Sequence, residues 1–293
     1  MKDRFCLFQI LNMKFWQTSR RRISLDNTSL MAILNVTPDS FSDGGKFFFI
    51  DQSLKQAEKL IAEGADILDI GGESTRPNSA RVSAKEELRR VCPIIEAIEK
   101  RFDVAISIDT SKSEVAEKAI ESGAEIINDV SGLKFDAQIG EIAARFNSGL
   151  VLMHLRGDFD TMHKQEPVKD ILAEVAEGFH KSLEIARKFA VKNENIALDV
   201  GIGFSKTHEQ NLELIAKLGK LINEFSDFPM LVGTSRKSFI GKILNEPDAE
   251  KRLQGSLASA AIAVWNGAKI VRVHDVWETV QALKIVEEIK KQL

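Results

Sequence analysis

The sequence is poor in cysteine, in charge of one sign and in long apolar runs, and each shortage excludes a class of protein. Its two cysteines, Cys6 and Cys92, have neither metal-site spacing nor a disulfide framework, so a reducing, cytoplasmic setting is expected. The formal net charge of −3 gives no electrostatic footprint for nucleic acid. No run approaches the roughly 18 apolar residues of a membrane span, so no membrane association is expected.

Four familiar signatures of cofactor, catalytic or metal sites are also missing. No GxGxxG opens the first helical segment, and no GxSxG elbow or Cys–His pairing indicates a covalent nucleophile. The histidines lack the spacing of a zinc site. What remains is an ordinary globular composition, 44% hydrophobic and 28% charged, in 293 residues. That length fits two average domains or one α/β barrel.

The chain does contain a succession of short apolar segments that alternate with longer helical ones. Each short segment is rich in Ile, Val and Leu, is bounded by Gly, Asp, Ser or Asn, and is too short for a helix. The eight segments are 30–36, 66–72, 104–110, 125–131, 150–155, 196–201, 230–235 and 269–275. Strict alternation indicates a parallel sheet, and eight strands favour a closed barrel. We therefore predict an α/β fold, a single (β/α)8 TIM barrel; an open doubly wound sheet is the alternative.

The first residues precede this pattern. We expect residues 1–29 to form an N-terminal extension, with a hairpin that turns at Asp26–Asn27 and covers the barrel bottom, and residues 30–293 to form the catalytic barrel. Helix starts are indicated where a capping residue is followed three positions later by Glu or Gln. These positions are Ser83, Ser111, Thr207 and Asp275.

The connections between strands and helices are asymmetric. Joints from helix to strand are mostly short, whereas three loops from strand to helix are long, at 37–49, 73–82 and 156–167. Active sites of (β/α)8 barrels lie on these loops, at the C-terminal ends of the strands. Long loops in a compact domain are usually functional or disordered. The sequence therefore predicts that function resides at this end of the barrel.

Polar residues end every one of the eight predicted strands. They are Asn35, Asp69, Asp109, Asn128, His154, Asp199, Ser235 with Lys237, and Arg272 with His274. Parallel barrel strands are buried, so these groups need partners or a ligand. For any one residue, a satisfied polar group in the core is an equally good interpretation. Eight strands together indicate a mouth lined with ligand-binding groups.

The residue types at these strand ends indicate two kinds of ligand. Arg272 and His274 stand two apart, on one face of a strand, and with Lys237 they suit an anion such as phosphate. The amide oxygen of Asn35 suits a Mg²⁺ ion bound mainly by phosphate and water. Carboxylates and an amide suit a flat heterocycle that bears amide and amine groups. That set consists of Asp109, Asn128 and Asp199.

Two long motifs make the chain recognisable: "MAILNVTPDSFSDGG" at 31–45 and "DIGGESTRP" at 69–77. "SIDTSK", "INDVSG", "LMHLRG", "VGTSRKSFIG" and "RVHD" follow in order. From about Leu30 to the C-terminus, the chain resembles the dihydropteroate synthase family of the folate pathway. The resemblance implies a (β/α)8 barrel that joins 6-hydroxymethyl-7,8-dihydropterin diphosphate to p-aminobenzoate. The products would be 7,8-dihydropteroate and pyrophosphate, formed by dissociative substitution.

The resemblance also implies a role for individual residues. The pterin pocket would consist of Asp109, Asn128, Met153, Asp199 and Lys237. The pyrophosphate site would consist of Asn35, Arg272 and His274, with Mg²⁺ at Asn35. The p-aminobenzoate side, where sulfonamides compete, would consist of Phe41, Thr75, Arg76, Phe204 and Ser238. The catalytic residues would be Asp43, Asp109, Lys237 and Arg272. The family further implies a homodimer that forms through barrel helices.

Some points stay open at this level. Core packing accounts for Phe41 and Phe204 as well as a substrate contact does, and Val200 replaces a proline usual in the family. One rival is a pterin-binding methyltransferase acting with a corrinoid protein, which has no reason to carry the motif at 31–45. Another is a catalytically dead paralogue, which should have lost anion-site residues such as Arg272.

Overall fold

The computed structural model describes residues 15–36, 46–74, 79, 81–162 and 165–293, and the predicted alternation of strands and helices is confirmed there. The strands are β1 Phe15–Gln17, β2 Arg22–Ser24, β3 Ser29–Asn35, β4 Ile67–Gly71, β5 Ala105–Asp109, β6 Ile126–Asp129, β7 Gly149–Met153, β8 Ile196–Asp199, β9 Met230–Val232 and β10 Ile270–Val273. The helices are α1 Lys46–Ala62, α2 Ala84–Glu99, α3 Ser113–Ser122, α4 Gln138–Phe146, α5 Ile171–Lys188, α6 His208–Ala216, α7 Leu218–Glu224, α8 Ser238–Leu244, α9 Leu253–Trp265 and α10 Val276–Lys290.

Strands β3 to β10 close into a parallel barrel in the order β10-β3-β4-β5-β6-β7-β8-β9. The (β/α)8 prediction is therefore confirmed, and the open sheet is excluded. Helices surround the barrel, and the apolar side chains that point outward from the strands pack against them in one large core. Within the described ranges, every helix is too short or too polar to cross a lipid bilayer.

The barrel interior changes from apolar to polar along the strands. Side chains alternate between the two faces of a strand, so every second residue points inward. The first inward residues are Met31, Ile67, Ala105, Ile126, Val151, Ala197, Leu231 and Ile270. Two positions further along, they are Ile33, Asp69, Ser107, Asn128, Met153, Asp199, Gly233 and Arg272. The bottom of the barrel is therefore a dry core, and the top supplies polar groups.

The N-terminal hairpin closes the bottom of the barrel, as predicted. Trp16 and Leu25 are buried against the first inward residues, and the indole Nε1 of Trp16 donates to the carbonyl of Asn195 at 2.8 Å. The turn lies at 18–21, however, and the prediction of a turn at Asp26–Asn27 is wrong. The hydroxyl of Thr18 accepts from the amide of Arg21 at 3.1 Å and stabilises the earlier turn.

Two of the four predicted helix caps are confirmed. Ser83 accepts from the amide of Glu86, and Thr207 forms a complete capping box with Gln210. Ser111 does not cap α3, because the carboxylate of Asp136 accepts from the amide of Ser113 at 2.7 Å instead. The Asp275 carboxylate makes no capping bond to α10 either, because it pairs with the Arg236 guanidinium at 2.6 and 3.1 Å.

We predict that Trp16→Ala lowers the free energy of unfolding by about 3–5 kcal/mol, since it opens a cavity in the dry bottom core. Trp16→Phe, which loses the bond to Asn195 but retains an aromatic ring, should cost about 1–2 kcal/mol. Urea unfolding followed by circular dichroism measures both changes. The neighbouring Phe15 is half-buried and serves as the control, because Phe15→Ala should cost much less. Equal losses of unfolding free energy in Phe15→Ala and Trp16→Ala would contradict the role of Trp16 in closing the bottom of the barrel.

Candidate active site at the top of the barrel

Arg272 lies at the centre of the barrel mouth and contacts two carboxylates. Its Nε donates to Oδ2 of Asp69 at 2.6 Å, and its Nη2 donates to Oδ2 of Asp109 at 2.7 Å. Both bonds are charge-assisted, which makes them stronger than bonds between neutral groups. Asn128 joins the same cluster, because its Nδ2 donates to Oδ2 of Asp69 at 3.0 Å. The structure therefore brings four of the predicted strand-end residues into one bonded group.

Within this cluster, the carboxyl group of Asp109 has a pKa near neutrality. Burial raises the pKa of Asp109 to about 7; the Arg272 guanidinium opposes this rise, and the negative charges of Asp69, Glu87 and Asp129 add to it. A carboxyl group with a pKa near neutrality can exchange its proton when a ligand arrives. Burial also raises the pKa of Asp199, against the attraction of Lys237.

His274 points to the same face as Arg272, as the spacing predicted, and is held by Ser235. The Ser235 hydroxyl accepts from the backbone amide of His274 at 3.2 Å and lies 3.0 Å from its Nδ1. Burial lowers the pKa of His274 to about 3, with the charges of Arg236 and Arg272 acting in the same direction. The ring is therefore neutral at pH 7. In the tautomer whose Nδ1 accepts the Ser235 hydroxyl proton, Nε2 carries the ring proton and is a donor for an anion.

One side of the mouth is an apolar wall. Met153 and Phe204 are buried there, and they pack with Val130, Leu155 and Met162. The Nζ of Lys237 lies 4.1 Å from the centroid of the Phe204 ring, a cation–π contact. Burial lowers the pKa of Lys237 to about 8, and the nearby Arg272 charge contributes. Ser238 is exposed beside this wall, as the first residue of α8.

The backbone beside the wall is fixed by Asp199 and Lys206. Oδ1 of Asp199 accepts from the amide of Gly201 at 2.8 Å. The Nζ of Lys206 donates to the carbonyls of His154, Gly201 and Phe204 at 3.2, 2.9 and 2.9 Å. These bonds hold the loop that carries Phe204. Val200 is buried among side chains that face the helices, so the position usually occupied by proline is a packing position in this chain.

Asn35 ends β3 at the rim of the mouth. A Cβ at position 71 would lie 3.5 Å from its Oδ1, so Gly71 leaves space beside this oxygen. In the part of the chain that the structure describes, no three His, Cys, Asp or Glu side chains could hold a metal ion. A single amide oxygen fits a Mg²⁺ ion that keeps waters and takes its other ligands from phosphates.

Phe41, Asp43, Thr75 and Arg76 fall outside the described residues. His154 was predicted among the mouth residues, and this is wrong. Its ring points outward and lies over Gly178 of α5, where a Cβ would overlap it. The reason is strand alternation, which turns Met153 inward and its neighbour outward.

The chain has known relatives. The model of the pterin binding enzyme family matches residues 31–274. A dihydropteroate synthase of Synechocystis sp. is 46% identical over 262 residues, which are 89% of this chain and 90% of that protein. The chain belongs to the pterin binding enzyme family. It is an enzyme, a transferase of the dihydropteroate synthase type.

Solved structures of dihydropteroate synthases agree with this assignment. The enzyme from Clostridium difficile, determined in the presence of pteroic acid, has 42% identity and a TM-score of 0.84, over 90% of this chain and 97% of that one. The Yersinia pestis enzyme, in a sulfonamide drug complex, has 40% identity and a TM-score of 0.87, over 95% and 100% of the two chains. These relatives favour the synthase over the methyltransferase as the type of enzyme.

Several residues that support the mouth have no role that the sequence predicted. Lys206 is one, because a lysine in a loop gives no sign that it will bind three carbonyls. Another group stabilises the ends of the β4–α2 loop: Lys112 donates to Glu73 at 2.8 Å and to Glu87 at 2.5 Å. Oε1 of Glu73 also accepts from the amide of Val82 at 2.5 Å. The motif at 69–77 was a signal for Glu73, but its partners are distant in sequence.

We predict that Gly201→Ala destabilises the protein by about 2–4 kcal/mol. Gly201 has a φ of +66°, and an added Cβ would overlap the carbonyl oxygen of His154. The matched control is Gly233→Ala, because a Cβ there would lie 3.7 Å from the Cβ of Arg272, an ordinary contact. Thermal unfolding measures both variants. If Gly201→Ala unfolds at the same temperature as Gly233→Ala, the described conformation of the loop is contradicted.

Proposed function

We propose that this enzyme condenses 6-hydroxymethyl-7,8-dihydropterin diphosphate with p-aminobenzoate to give 7,8-dihydropteroate and pyrophosphate. The observation that carries the proposal is the bonded cluster of Arg272 with Asp69, Asp109 and Asn128 beside the apolar wall. Such a mouth combines cationic and acidic groups with a flat apolar surface. Pteroic acid, present with the Clostridium difficile relative, has the pterin and p-aminobenzoate halves of this product.

The diphosphate would lie on the side of Arg272 and His274. The guanidinium supplies charge and a planar set of donors, and the neutral imidazole supplies the Nε2 proton. Asn35 would hold a Mg²⁺ ion there, together with the phosphate oxygens. When bound, that ion would neutralise charge on the departing pyrophosphate. The protein groups are already in place before the charge develops, which is the basis of electrostatic catalysis.

The pterin ring would lie between the acidic groups and the apolar wall. Asp109, Asp199 and Asn128 offer acceptors for the ring amine and amide hydrogens, and Lys237 offers a donor. Met153 would contact the ring face. In a dissociative substitution, the bond from carbon to the diphosphate oxygen breaks first, and the two carboxylates offset the positive charge left on the pterin. The apolar wall limits the access of water, which would otherwise capture that cation.

The arylamine would approach along Phe204, with Ser238 nearby. Phe41, Thr75 and Arg76 complete this side in the proposal, and Asp43 acts from the same loop as Phe41. An aromatic amine is unprotonated at neutral pH, so its attack requires no strong general base. Sulfonamides should compete here, as the drug complex of the Yersinia pestis relative suggests. Cys92 carries a free thiol, which is in keeping with a cytoplasmic enzyme.

The test is pyrophosphate release by the purified protein, given the pterin diphosphate and Mg²⁺, with and without p-aminobenzoate. We expect release that depends on p-aminobenzoate and yields dihydropteroate. Tight pterin binding without release would instead support the catalytically dead paralogue. In this assay, Asp109→Asn should lower kcat by about 10- to 100-fold and change the KM for p-aminobenzoate less. The exposed Asp227→Asn is the control and should behave like the wild type; an unchanged kcat in Asp109→Asn would refute its role.

We also propose that the enzyme is a homodimer formed through one side of the barrel. Large exposed apolar side chains within the described ranges concentrate on α6, α8, α9 and α10, which pack against one another. This apolar face consists of Leu212, Ile243, Leu244, Ile262, Trp265, Trp277, Ile285 and Ile289. Contiguous exposed apolar surface on a soluble domain typically marks an interface, and a second copy of the chain would cover it.

Light scattering after size-exclusion chromatography tests the dimer. The wild type should have twice the mass of one chain, and Ile262→Glu should have the mass of one, because it buries a charge in the interface. Lys118→Glu, at an exposed position of α3 on the opposite side of the barrel, is the control and should leave the mass unchanged. A wild-type protein with the mass of one chain would rule out the dimer.

A further inference from the structure

Asp69 has a different position from the other acidic residues of the mouth. Its side chain is 0% exposed, whereas that of Asp109 is 12% exposed. One oxygen, Oδ2, accepts from both Arg272 Nε and Asn128 Nδ2. The other oxygen, Oδ1, is buried and has no hydrogen-bond partner among the described residues. A buried, incompletely bonded carboxylate is costly, so its presence requires a reason other than packing.

The contacts of Asp69 connect the two halves of the mouth. In the barrel order, β10 lies two strands to one side of β4, and β6 lies two strands to the other. Asp69 on β4 thus bonds Arg272, assigned to the diphosphate, and Asn128, assigned to the pterin. Oδ2 of Asp69 therefore positions both Arg272 and Asn128. These two groups would lie on opposite sides of the bond between carbon and the diphosphate oxygen, which breaks in the reaction.

The chemistry of the carboxylate also fixes how both partners are oriented. An ionised carboxylate accepts hydrogen bonds and cannot donate them, so the Asn128 amide must turn its NH₂ toward Asp69. Its Oδ1 and its second N–H remain for a ligand. Arg272 uses Nε on Asp69 and Nη2 on Asp109, and the structure gives Nη1 no acceptor among the described side chains. The guanidinium therefore cannot rotate without breaking two charge-assisted bonds.

We infer that Asp69 is a positioning residue of the transfer reaction, which orients the Arg272 guanidinium and the Asn128 amide toward the substrate. This inference rests on the proposed function, because it assigns those two groups to the diphosphate and the pterin. Asp69 itself acts through its partners. Misplacement of an orienting group by about 1 Å costs a reaction roughly 100-fold, and that is the scale of the expected effect.

The test variant is Asp69→Asn, which keeps the shape and removes the charge. We expect kcat for pyrophosphate release to fall about 100-fold, with a much smaller change in the KM for p-aminobenzoate. The matched control is Asp66→Asn, just before the same strand but at the bottom of the barrel, where its carboxylate accepts from the amide of Leu30 at 2.8 Å. It should keep the wild-type kcat even if its stability changes. Equal kcat in Asp69→Asn and the wild type would overturn the inference.

The pH profile separates positioning from a purely structural role. The charged groups around Asp109 are Arg272 on β10, Asp69 on β4, Glu87 on α2, Asp129 on β6 and Lys237. Removal of the Asp69 charge takes away a repulsion and leaves Arg272 to Asp109 alone, and both effects lower the pKa of Asp109. The acidic limb of kcat/KM should therefore move to lower pH, by about one unit. An unmoved limb, as expected of Asp66→Asn, would count against the inference.

A second variant covers the case in which Asp69→Asn fails to fold because Arg272 is left buried without its main partner. Asp69→Asn combined with Arg272→Met removes both charges of this pair, and Asp109 loses its guanidinium partner just as it does in Arg272→Met alone. The double variant should keep kcat within about tenfold of Arg272→Met, because only the orientation of Asn128 is left to lose. A further loss of more than about tenfold in the double variant would show an independent role and overturn the inference.

Failure of the proposed function can be distinguished from failure of this inference. If the wild type releases no pyrophosphate, the proposed function fails, and calorimetric binding of pteroic acid decides on Asp69. Binding at least tenfold weaker in Asp69→Asn than in Asp66→Asn would then support the orienting role. Equal binding by the two variants would overturn it.

Discussion

Closure of eight parallel strands is the constraint on which the rest of this molecule depends. In a closed barrel, every second side chain points into a space that solvent enters from one end at most. The strands therefore supply apolar groups below, and most of them supply polar groups above. The hairpin with Trp16 seals the lower end. The mouth is left as the place where polar inward residues can meet a ligand.

The charges in that mouth stabilise one another before any ligand binds. Arg272 offsets two carboxylates, and Lys237 faces Asp199 beside an aromatic ring. Taking charges out of water is costly unless they are paired and hydrogen-bonded. The raised pKa of Asp109 and the lowered pKa of Lys237 reflect this cost. A substrate with its own positive and negative regions can replace these internal ion pairs, so the same groups can bind it.

The loops around the mouth are held by polar side chains on the backbone. Lys206 bonds three carbonyls, Ser235 orients His274, and Glu73 joins Lys112 to the amide of Val82. None of these residues is a reacting group in the proposed mechanism. Their effect is to give Phe204 and the anion-binding groups defined positions, which a transition state requires more strictly than a bound substrate does.

Local patterns in the sequence were enough to predict the barrel and the end that carries the candidate site. Apolar runs and the polar residues that end them are visible as spacing along the chain. Strand alternation therefore allowed the prediction that Arg272 and His274 lie on one face. Only the tertiary structure decided which groups bond: the sharing of Asp69 by Arg272 and Asn128, the carbonyls bound by Lys206, and the outward turn of His154. Those outcomes depend on barrel closure and on contacts between residues up to 203 positions apart. Spacing along the chain therefore cannot predict them.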